Sequence, residues 1–263
     1  MSNNNTLHII FVRHGFTLAN LTKRASIFGC IRPRQFCCFY PTQMIKNKFC
    51  SDTKLLTLGK HQSRSAGKRM SKLFHSSEYK LHTKEIFTSG LSRTIETAQE
   101  FIKAYNKHST QHILSNITPL PYIGEKRTLC CNDQDNQVQT LEEIQEYFKD
   151  RDINIQPWPI PIDPTSTPWK KPNIKAFKNL IPQLADRIQD ANTIIVISHK
   201  YTIRSLLNRT LNNGEMILQS FDKSTGKKVN GPIPIKGYQH FSPCVQNSMV
   251  NTNDVYIETG IYS

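Results

Sequence analysis

Apolar and polar positions alternate along the chain in a way that predicts strands and helices in turn. Short runs of apolar and β-branched residues predict strands at His8–Val12 (HIIFV), Glu85–Thr88 (EIFT) and Thr193–Ser198 (TIIVIS). Apolar residues at three- and four-residue steps predict helices over residues 57–74, 92–105, 173–190 and 202–211. Strands that alternate with helices predict an α/β protein, a three-layer sandwich with a mostly parallel central sheet and helices on both faces.

Two local signals mark helix ends, one at the start of a further helix and one at the end of the helix over 202–211. Thr140 and Glu143 form a T-x-x-E capping box, which predicts a further helix that buries Leu141, Ile144 and Phe148. The pair Asn213-Gly214 is the predicted stop of the helix over 202–211.

Three segments do not follow this alternation. Residues 25–54 are rich in cysteine and irregular, and we interpret them as an insertion. Residues 156–172 contain six prolines and cannot form regular structure. That stretch could be a domain linker, but the motifs on its two sides belong together, so we expect one domain over residues 1–263 with a surface loop at 156–172. In the C-terminal tail, 233–235 and 255–257 are strand-like.

Composition narrows the class of protein. The chain has 263 residues, 37% hydrophobic and 21% charged, which is ordinary for a globular domain and unlike a disordered one. Apolar runs fall far short of the 18 or so residues that a membrane span needs, and the N-terminus shows no signal peptide, so a cytoplasmic protein is expected. The seven cysteines include the adjacent pairs Cys37-Cys38 and Cys130-Cys131, which are not spaced like zinc ligands.

The charge is strongly basic, with 34 Lys and Arg against 20 Asp and Glu, a formal net charge of +14. Such a surface can attract nucleic acid or anionic lipid by electrostatics, or it can steer phosphorylated substrates into a cleft. A solvated basic surface without a dedicated partner is the third interpretation, and net charge alone does not choose among them.

Four side chains that suit an anion follow predicted strands. Arg13 and His14 come directly after the first strand, and His199 comes directly after the strand at 193–198. Arg93 lies in the first turn of the helix that follows the strand at 85–88. Ligands of open α/β sheets bind at the carboxyl ends of parallel strands, so these four residues predict a dianion site.

The sequence resembles the histidine phosphatase superfamily, which includes the cofactor-dependent phosphoglycerate mutases. Four blocks carry the resemblance, in the order that the family shows: 11–20 (FVRHGFTLAN), 56–63 (LTLGKHQS), 87–98 (FTSGLSRTIETA) and 195–206 (IVISHKYTIRSL). The resemblance implies that His14 is a nucleophile that forms a phosphohistidine. Arg13, Arg93 and His199 would then stabilise the transferring phosphoryl group, so that neither a metal nor a cofactor is needed.

The resemblance also implies further site residues. Thr17 and Asn20 stand at the family's usual offsets after His14 and are expected to bind substrate. Glu125, in the segment PYIGEKR, is the best match to the acid that protonates the leaving group, with Asp133 and Asp135 as alternatives.

This sequence departs from the family pattern in three places. Lys200 stands where many relatives have glycine, and it either crowds the pocket or adds a substrate-binding cation. The interval from His14 to Thr57 is long, and we expect it to shape substrate choice. The stretch after Glu125 lacks the run that follows the acid in phosphoglycerate mutases.

These features favour a metal-independent phosphatase of phosphomonoesters, whether small molecules or phosphoproteins. The alternatives are a phosphoglycerate mutase-like phosphotransferase and a catalytically weak phosphate-recognition module.

Overall fold

The computed structural model describes residues 5–17, 20, 53–75, 81–109, 113–125, 140–150, 153–158, 172–188 and 191–237. Most of the predicted insertion at 25–54, most of the loop at 156–172 and the strand-like piece at 255–257 lie outside the described residues.

Seven strands form one sheet. They are β1 (Thr6–Arg13), β2 (Glu85–Thr88), β3 (Asn116–Pro119), β4 (Asn154–Ile155), β5 (Thr193–Ser198), β6 (Met216–Asp222) and β7 (Ile233–Pro234). Their order across the sheet is β4-β3-β2-β5-β1-β6-β7. The five neighbouring strands β4, β3, β2, β5 and β1 pair in parallel. Strand β6 pairs antiparallel with β1, and β7 pairs antiparallel with β6 at that edge of the sheet. The predicted mostly parallel sheet is therefore confirmed.

Within the described ranges, five helices cover the sheet on both faces. They are α1 (Thr57–His75), α2 (Ser92–His108), α3 (Leu141–Phe148), α4 (Ile174–Arg187) and α5 (Lys200–Leu207). One hydrophobic core joins alternate sheet residues such as Ile10 to α1, α2 and α3. The other core joins the opposite sheet face, including Ile9, to α4 and α5. Successive residues of a strand point to opposite faces, so β1 supplies both cores of the three-layer sandwich.

Most predicted elements are confirmed within one or a few residues. The capping box is present, since the Thr140 side chain accepts from the Glu143 backbone and the Glu143 carboxylate accepts from the Thr140 backbone. The edge strand β7 confirms the strand-like piece at 233–235. The predicted helix over 173–190 runs from Ile174 to Arg187 and continues through Pro182.

The predicted stop of the last helix is wrong. Helix α5 begins at Lys200 and ends at Leu207, where Asn208 adopts the left-handed conformation with φ of 55°. Asparagine tolerates this conformation because its short polar side chain bonds locally, so it ends the helix as glycine often does. Gly214 has φ of 75° and instead forms the turn before β6.

Among the described residues, no helix combines the length and the apolar character that crossing a membrane requires.

Candidate active site

The two histidines predicted to face one pocket lie side by side. Strands β1 and β5 are paired in parallel, with Arg13 opposite Ser198, so the residues that follow them are neighbours. The ring centroids of His14 and His199 are 5.1 Å apart, and the side chains are 2% and 0% exposed. The sheet order places β5 between β1 and β2, so the strands that precede His199 and His14 are adjacent.

Backbone contacts fix the segment that carries His14. The His14 N–H donates to the Ser198 carbonyl at 3.0 Å, and the Asn213 side-chain amide donates to the His14 carbonyl at 2.9 Å. The next N–H, of Gly15, donates to the Thr97 hydroxyl at 3.0 Å. These bonds join the His14 loop to β5, to α2 and to the turn before β6, which together set the position of the imidazole.

Two glycines allow α1 to approach this loop. A Cβ atom on Gly15 would lie 2.5 Å from the Gly59 carbonyl oxygen, and one on Gly59 would lie 2.2 Å from the Phe16 carbonyl oxygen. Both distances are well below van der Waals contact, so any side chain would push α1 away from the His14 loop. Gly15 of the 11–20 block and Gly59 of the 56–63 block therefore allow one close contact between backbones.

The His14 imidazole is held neutral and in one orientation. Its Nδ1 lies 2.7 Å from the Gly15 carbonyl oxygen. A carbonyl only accepts, so Nδ1 carries the proton and Nε2 keeps its lone pair. Burial lowers the pKa of His14 well below its usual range, and electrostatic interactions with His199, Arg93 and Arg13 lower it further.

The two arginines approach His14 from different elements. Arg13 ends β1, and its guanidinium donates to the Leu211 carbonyl at 2.9 Å. Arg93 is the second residue of α2 and is 7% exposed. Both charges lower the pKa of His14, so the structure brings the predicted cations to this histidine.

The helices that begin at this edge of the sheet suit an anion. Neither Leu91, the N-cap of α2, nor His199, the N-cap of α5, caps its helix with a side chain, and neither first turn contains an acid. By contrast, Thr140 and Asn173 cap α3 and α4 with their side chains. A helix N-terminus attracts negative charge, so α2 and α5 present this potential where Arg93 and His199 stand.

Both nitrogens of His199 have defined neighbours. The hydroxyl of Ser89 lies 2.8 Å from Nε2, and Oε2 of Glu125 lies 3.1 Å from Nδ1. The Glu125 carboxylate therefore lies at ion-pair distance from the imidazole. Sequence reasoning placed Ser89 in a family block but did not select it as a site residue. The signal was available, because Ser89 directly follows β2 as His14 and His199 follow β1 and β5.

Glu125 reaches the pocket because two hydroxyls of β5 and α5 hold its loop. The Ser198 hydroxyl donates to the Ile123 carbonyl at 2.8 Å, and the Thr202 hydroxyl donates to the Gly124 carbonyl at 2.5 Å. The side chain of Glu125 is 16% exposed. The structure thus brings the predicted acid to the histidine pair, whereas the alternatives Asp133 and Asp135 lie outside the described residues.

The predicted substrate-binding residues occupy two different settings. The Thr17 N–H donates to Oδ1 of Asn20 at 3.1 Å, and the Asn213 amide donates to the same oxygen at 3.2 Å. Lys200 is the first residue of α5, and its ammonium nitrogen lies 5.9 Å from the centroid of the Tyr201 ring. The roles of Thr17, Asn20 and Lys200 toward substrate stay predictions.

Three site residues also offer ligand atoms at metal-binding distances. One atom each from His14, Glu125 and His199 lies within 4.8 Å of the others. Two imidazoles and a carboxylate are ligands that Zn²⁺ and related ions accept, so these three residues could hold such an ion.

Comparisons with known proteins agree with this architecture. No protein-family model and no curated protein matches the chain. The structure is similar to that of the ecdysone phosphate phosphatase from Bombyx mori, with a TM-score of 0.51 and 16% identity, over 90% of this chain and 96% of that one.

Two further solved structures match at lower scores. A phosphoglycerate mutase from Bacillus anthracis has a TM-score of 0.41 and 12% identity, over 87% of this chain and 93% of that one. The alpha-ribazole phosphatase from Shigella flexneri has a TM-score of 0.38 and 14% identity, over 90% and 100%. The predicted fold class is confirmed: the chain has an α/β fold with a mostly parallel sheet, similar to the fold of the Bombyx mori phosphatase.

Proposed function

We propose that the chain is a phosphatase that hydrolyses phosphomonoesters through a phosphohistidine on His14. The observation that carries this proposal is the state of the His14 ring. The ring is buried and neutral, and the hydrogen bond that its Nδ1–H donates to the Gly15 carbonyl fixes its orientation. An imidazole in this state presents an Nε2 lone pair, and the neighbouring arginines make the pocket attractive to a phosphate dianion.

The first step transfers the phosphoryl group to the protein. Nε2 of His14 attacks phosphorus, the N–P bond forms, and the bond from phosphorus to the ester oxygen breaks. The departing alkoxide takes a proton from the Glu125 carboxyl group and leaves as the alcohol. Glu125 is then a carboxylate. Arg13 and Arg93 offset the charge on the non-bridging oxygens during this transfer.

The second step regenerates the protein. A water molecule loses its proton to the Glu125 carboxylate and attacks phosphorus, and the N–P bond breaks with its electrons returning to Nε2. Inorganic phosphate leaves, and the Glu125 carboxyl group is protonated again. The Glu125 carboxyl lies 3.1 Å from Nδ1 of His199, which supports a place for this acid and base beside the histidine pair.

The structural comparison supports this chemistry without fixing the substrate. The Bombyx mori protein is a phosphatase whose structure was solved in complex with tungstate. Tungstate, like phosphate, is a tetrahedral oxyanion, and the set of Arg13, His14, Arg93 and His199 offers this chain a site of the same chemical kind.

Hydrolysis of an activated aryl phosphate tests the proposal. The wild-type chain should release phosphate, and His14→Ala should abolish turnover, whereas His108→Ala, an exposed histidine on α2, should not change the rate. Vanadate should inhibit, because it adopts the pentacoordinate geometry of the transferring phosphoryl group, and EDTA should not.

The mutase alternative needs a separate assay. With 3-phosphoglycerate and a bisphosphoglycerate primer, the proposal predicts slow release of phosphate and little isomerisation. Rapid isomerisation with little free phosphate would refute the phosphatase assignment in favour of the mutase.

A further inference from the structure

The outer surface of α1 is basic along its whole length. Apart from Thr57, every exposed side chain of this helix is Lys, Arg or His, and the helix contains no acid. The exposed side chains are Lys60, His61, Arg64, Lys68, Lys72 and His75. With 3.6 residues per turn they fall within an arc of about 120°, and Lys60 and His75 are about 22 Å apart along the axis.

Helix α2 extends this surface sideways. Its exposed side chains are Lys103, Lys107 and His108, again without an acid. The two helices run side by side in the same direction, since Arg64 bonds Glu100 at 2.6 Å and the Phe74 ring packs on Tyr105 further along. Lys103 and Lys107 lie one and two turns beyond Glu100, as Lys68 and Lys72 lie one and two turns beyond Arg64. We call the exposed basic residues of α1 and α2 the basic face.

The lysines of the basic face are not neutralised by neighbours. Within the described part of the chain, no ion pair joins a carboxylate to Lys60, Lys68, Lys72, Lys103 or Lys107. The acids on α2, Glu96 and Glu100, are 6% and 8% exposed, and Glu100 pairs with Arg64. An area of this size with one sign of charge sustains a positive potential that attracts an anionic partner.

An exposed isoleucine lies at the end of the basic face. Ile113 is 80% exposed, more than any other large apolar residue in the described ranges. It precedes Leu114, whose N–H and carbonyl both bond the side chain of Asn106 at 2.9 and 2.7 Å. Asn106 directly precedes Lys107 on α2, so these bonds tie the segment that begins at Ile113 to this helix.

We propose that the basic face, together with Ile113, binds the surface of an anionic lipid bilayer. Clusters of about four to eight basic residues on an amphipathic helix are typical of surfaces that bind phosphatidylserine, and an adjacent apolar side chain can enter the headgroup layer. This inference concerns a surface outside the pocket and does not depend on the proposed catalysis.

The same residues fit nucleic acid less well. No exposed side chain of α1 or α2 is aromatic, so the face lacks a stacking platform for single-stranded bases. The single exposed arginine, Arg64, already bonds Glu100, whereas duplex readers use arginines or an element that enters a groove. Two helices lying side by side instead present a broad face to a planar surface.

Sedimentation with lipid vesicles tests the inference. The full chain is mixed with phosphatidylcholine vesicles with and without phosphatidylserine, and with a duplex and a single-stranded oligonucleotide as competitors. The chain should bind only the vesicles that contain phosphatidylserine. Lys68→Glu/Lys72→Glu should weaken this binding at least about thirtyfold, and added salt should weaken binding of the wild-type chain.

A matched control separates the face from net charge. Lys175→Glu/Lys227→Glu makes the same change in charge at two exposed lysines beside α4, on the opposite side of the sheet. This control should bind vesicles within about threefold of wild type, because screening confines the effect of a charge to about 10 Å. Ile113→Ser should weaken binding and leave the dependence on salt unchanged.

Three results would overturn the inference: equal losses in the two double variants, no binding to phosphatidylserine vesicles, or binding to an oligonucleotide that displaces the chain from vesicles. Far-ultraviolet circular dichroism and turnover of a soluble aryl phosphate check that the variants fold. If Lys68→Glu/Lys72→Glu does not fold, Lys103→Glu/Lys107→Glu replaces it with the same expectation.

Discussion

Replacing the carboxyl of Glu125 by an amide tests the assignment of the leaving-group acid. Glu125→Gln keeps the size of the side chain and its place beside His199, whose Nδ1 lies 3.1 Å from Oε2 of Glu125. It cannot give a proton to the leaving group. The variant therefore removes one chemical property and preserves the contact that positions the side chain.

The expected loss depends on the leaving group. A positioned general acid contributes about 10²- to 10⁴-fold, or about 3–5 kcal/mol of activation free energy. An alkyl phosphate needs this proton, so its kcat/KM should fall by that factor in Glu125→Gln. A nitrophenyl phosphate releases a stable phenolate, and its kcat/KM should fall less than about tenfold.

The assay measures kcat/KM for both esters with wild type, Glu125→Gln and the control Glu142→Gln. Glu142 is exposed on α3, and its variant should match wild type with both esters. Equal losses for the two esters in Glu125→Gln would remove Glu125 from the acid role, because a loss of that kind indicates a role in shape or binding.

Three other predictions concern buried groups. The pKa of His14 is lowered on folding, so the unfolded chain takes up a proton below about pH 6.5 that the folded chain does not; the free energy of unfolding should therefore fall as pH drops, by up to about 1.4 kcal/mol per pH unit, and His14→Gln should reduce this slope in chemical denaturation. A slope that is unchanged in the variant would contradict the buried neutral state. Ser89→Ala removes the hydroxyl 2.8 Å from Nε2 of His199 and should lower kcat/KM about tenfold and shift the pH profile, whereas a change in stability alone would make Ser89 merely structural. Arg187→Ala leaves the carboxylate of Glu85 without its bidentate partner, at 2.8 and 2.9 Å, and should cost about 3 kcal/mol of unfolding free energy; a cost below about 1 kcal/mol would show that solvent reaches Glu85.

The sequence predicts the central strands and the covering helices well because their signals are local. Strand β5 is a run of four β-branched apolar residues, and all six of its residues are buried between two layers of helices. The capping box of α3 needs only Thr140 and Glu143, three residues apart. In such cases neighbours along the chain decide the structure.

Strand β6 escaped prediction because its sequence mixes apolar and polar residues. Gln219 and Ser220 are buried in it, at 0% and 7% exposure, and the Gln219 amide donates to the Ser220 carbonyl. Its pairing with β1 depends on a chain segment about 200 residues earlier, which no local pattern contains. The predicted end of α5 was wrong for a related reason. Asn208 and Asn213-Gly214 can each end a helix in sequence, and only the fold assigns Gly214 to the next turn.

The histidine pair was predicted because each histidine follows a strand directly, although Ser89, which follows β2, was not selected. His14 and His199 follow β1 and β5, so the topology rule for open sheets was enough. Asn213, whose amide bonds the carbonyls of His14 and Gly15, follows no strand and offers no signal of this kind.

Chemical trapping of the intermediate tests the central claim most directly. The chain is mixed briefly with a phosphomonoester labelled on phosphorus, quenched, and digested for mass spectrometry. We expect a phosphoryl group on His14 that is labile in acid and stable in base, and none in His14→Ala. Turnover without label on His14, or label on another residue, would contradict the account.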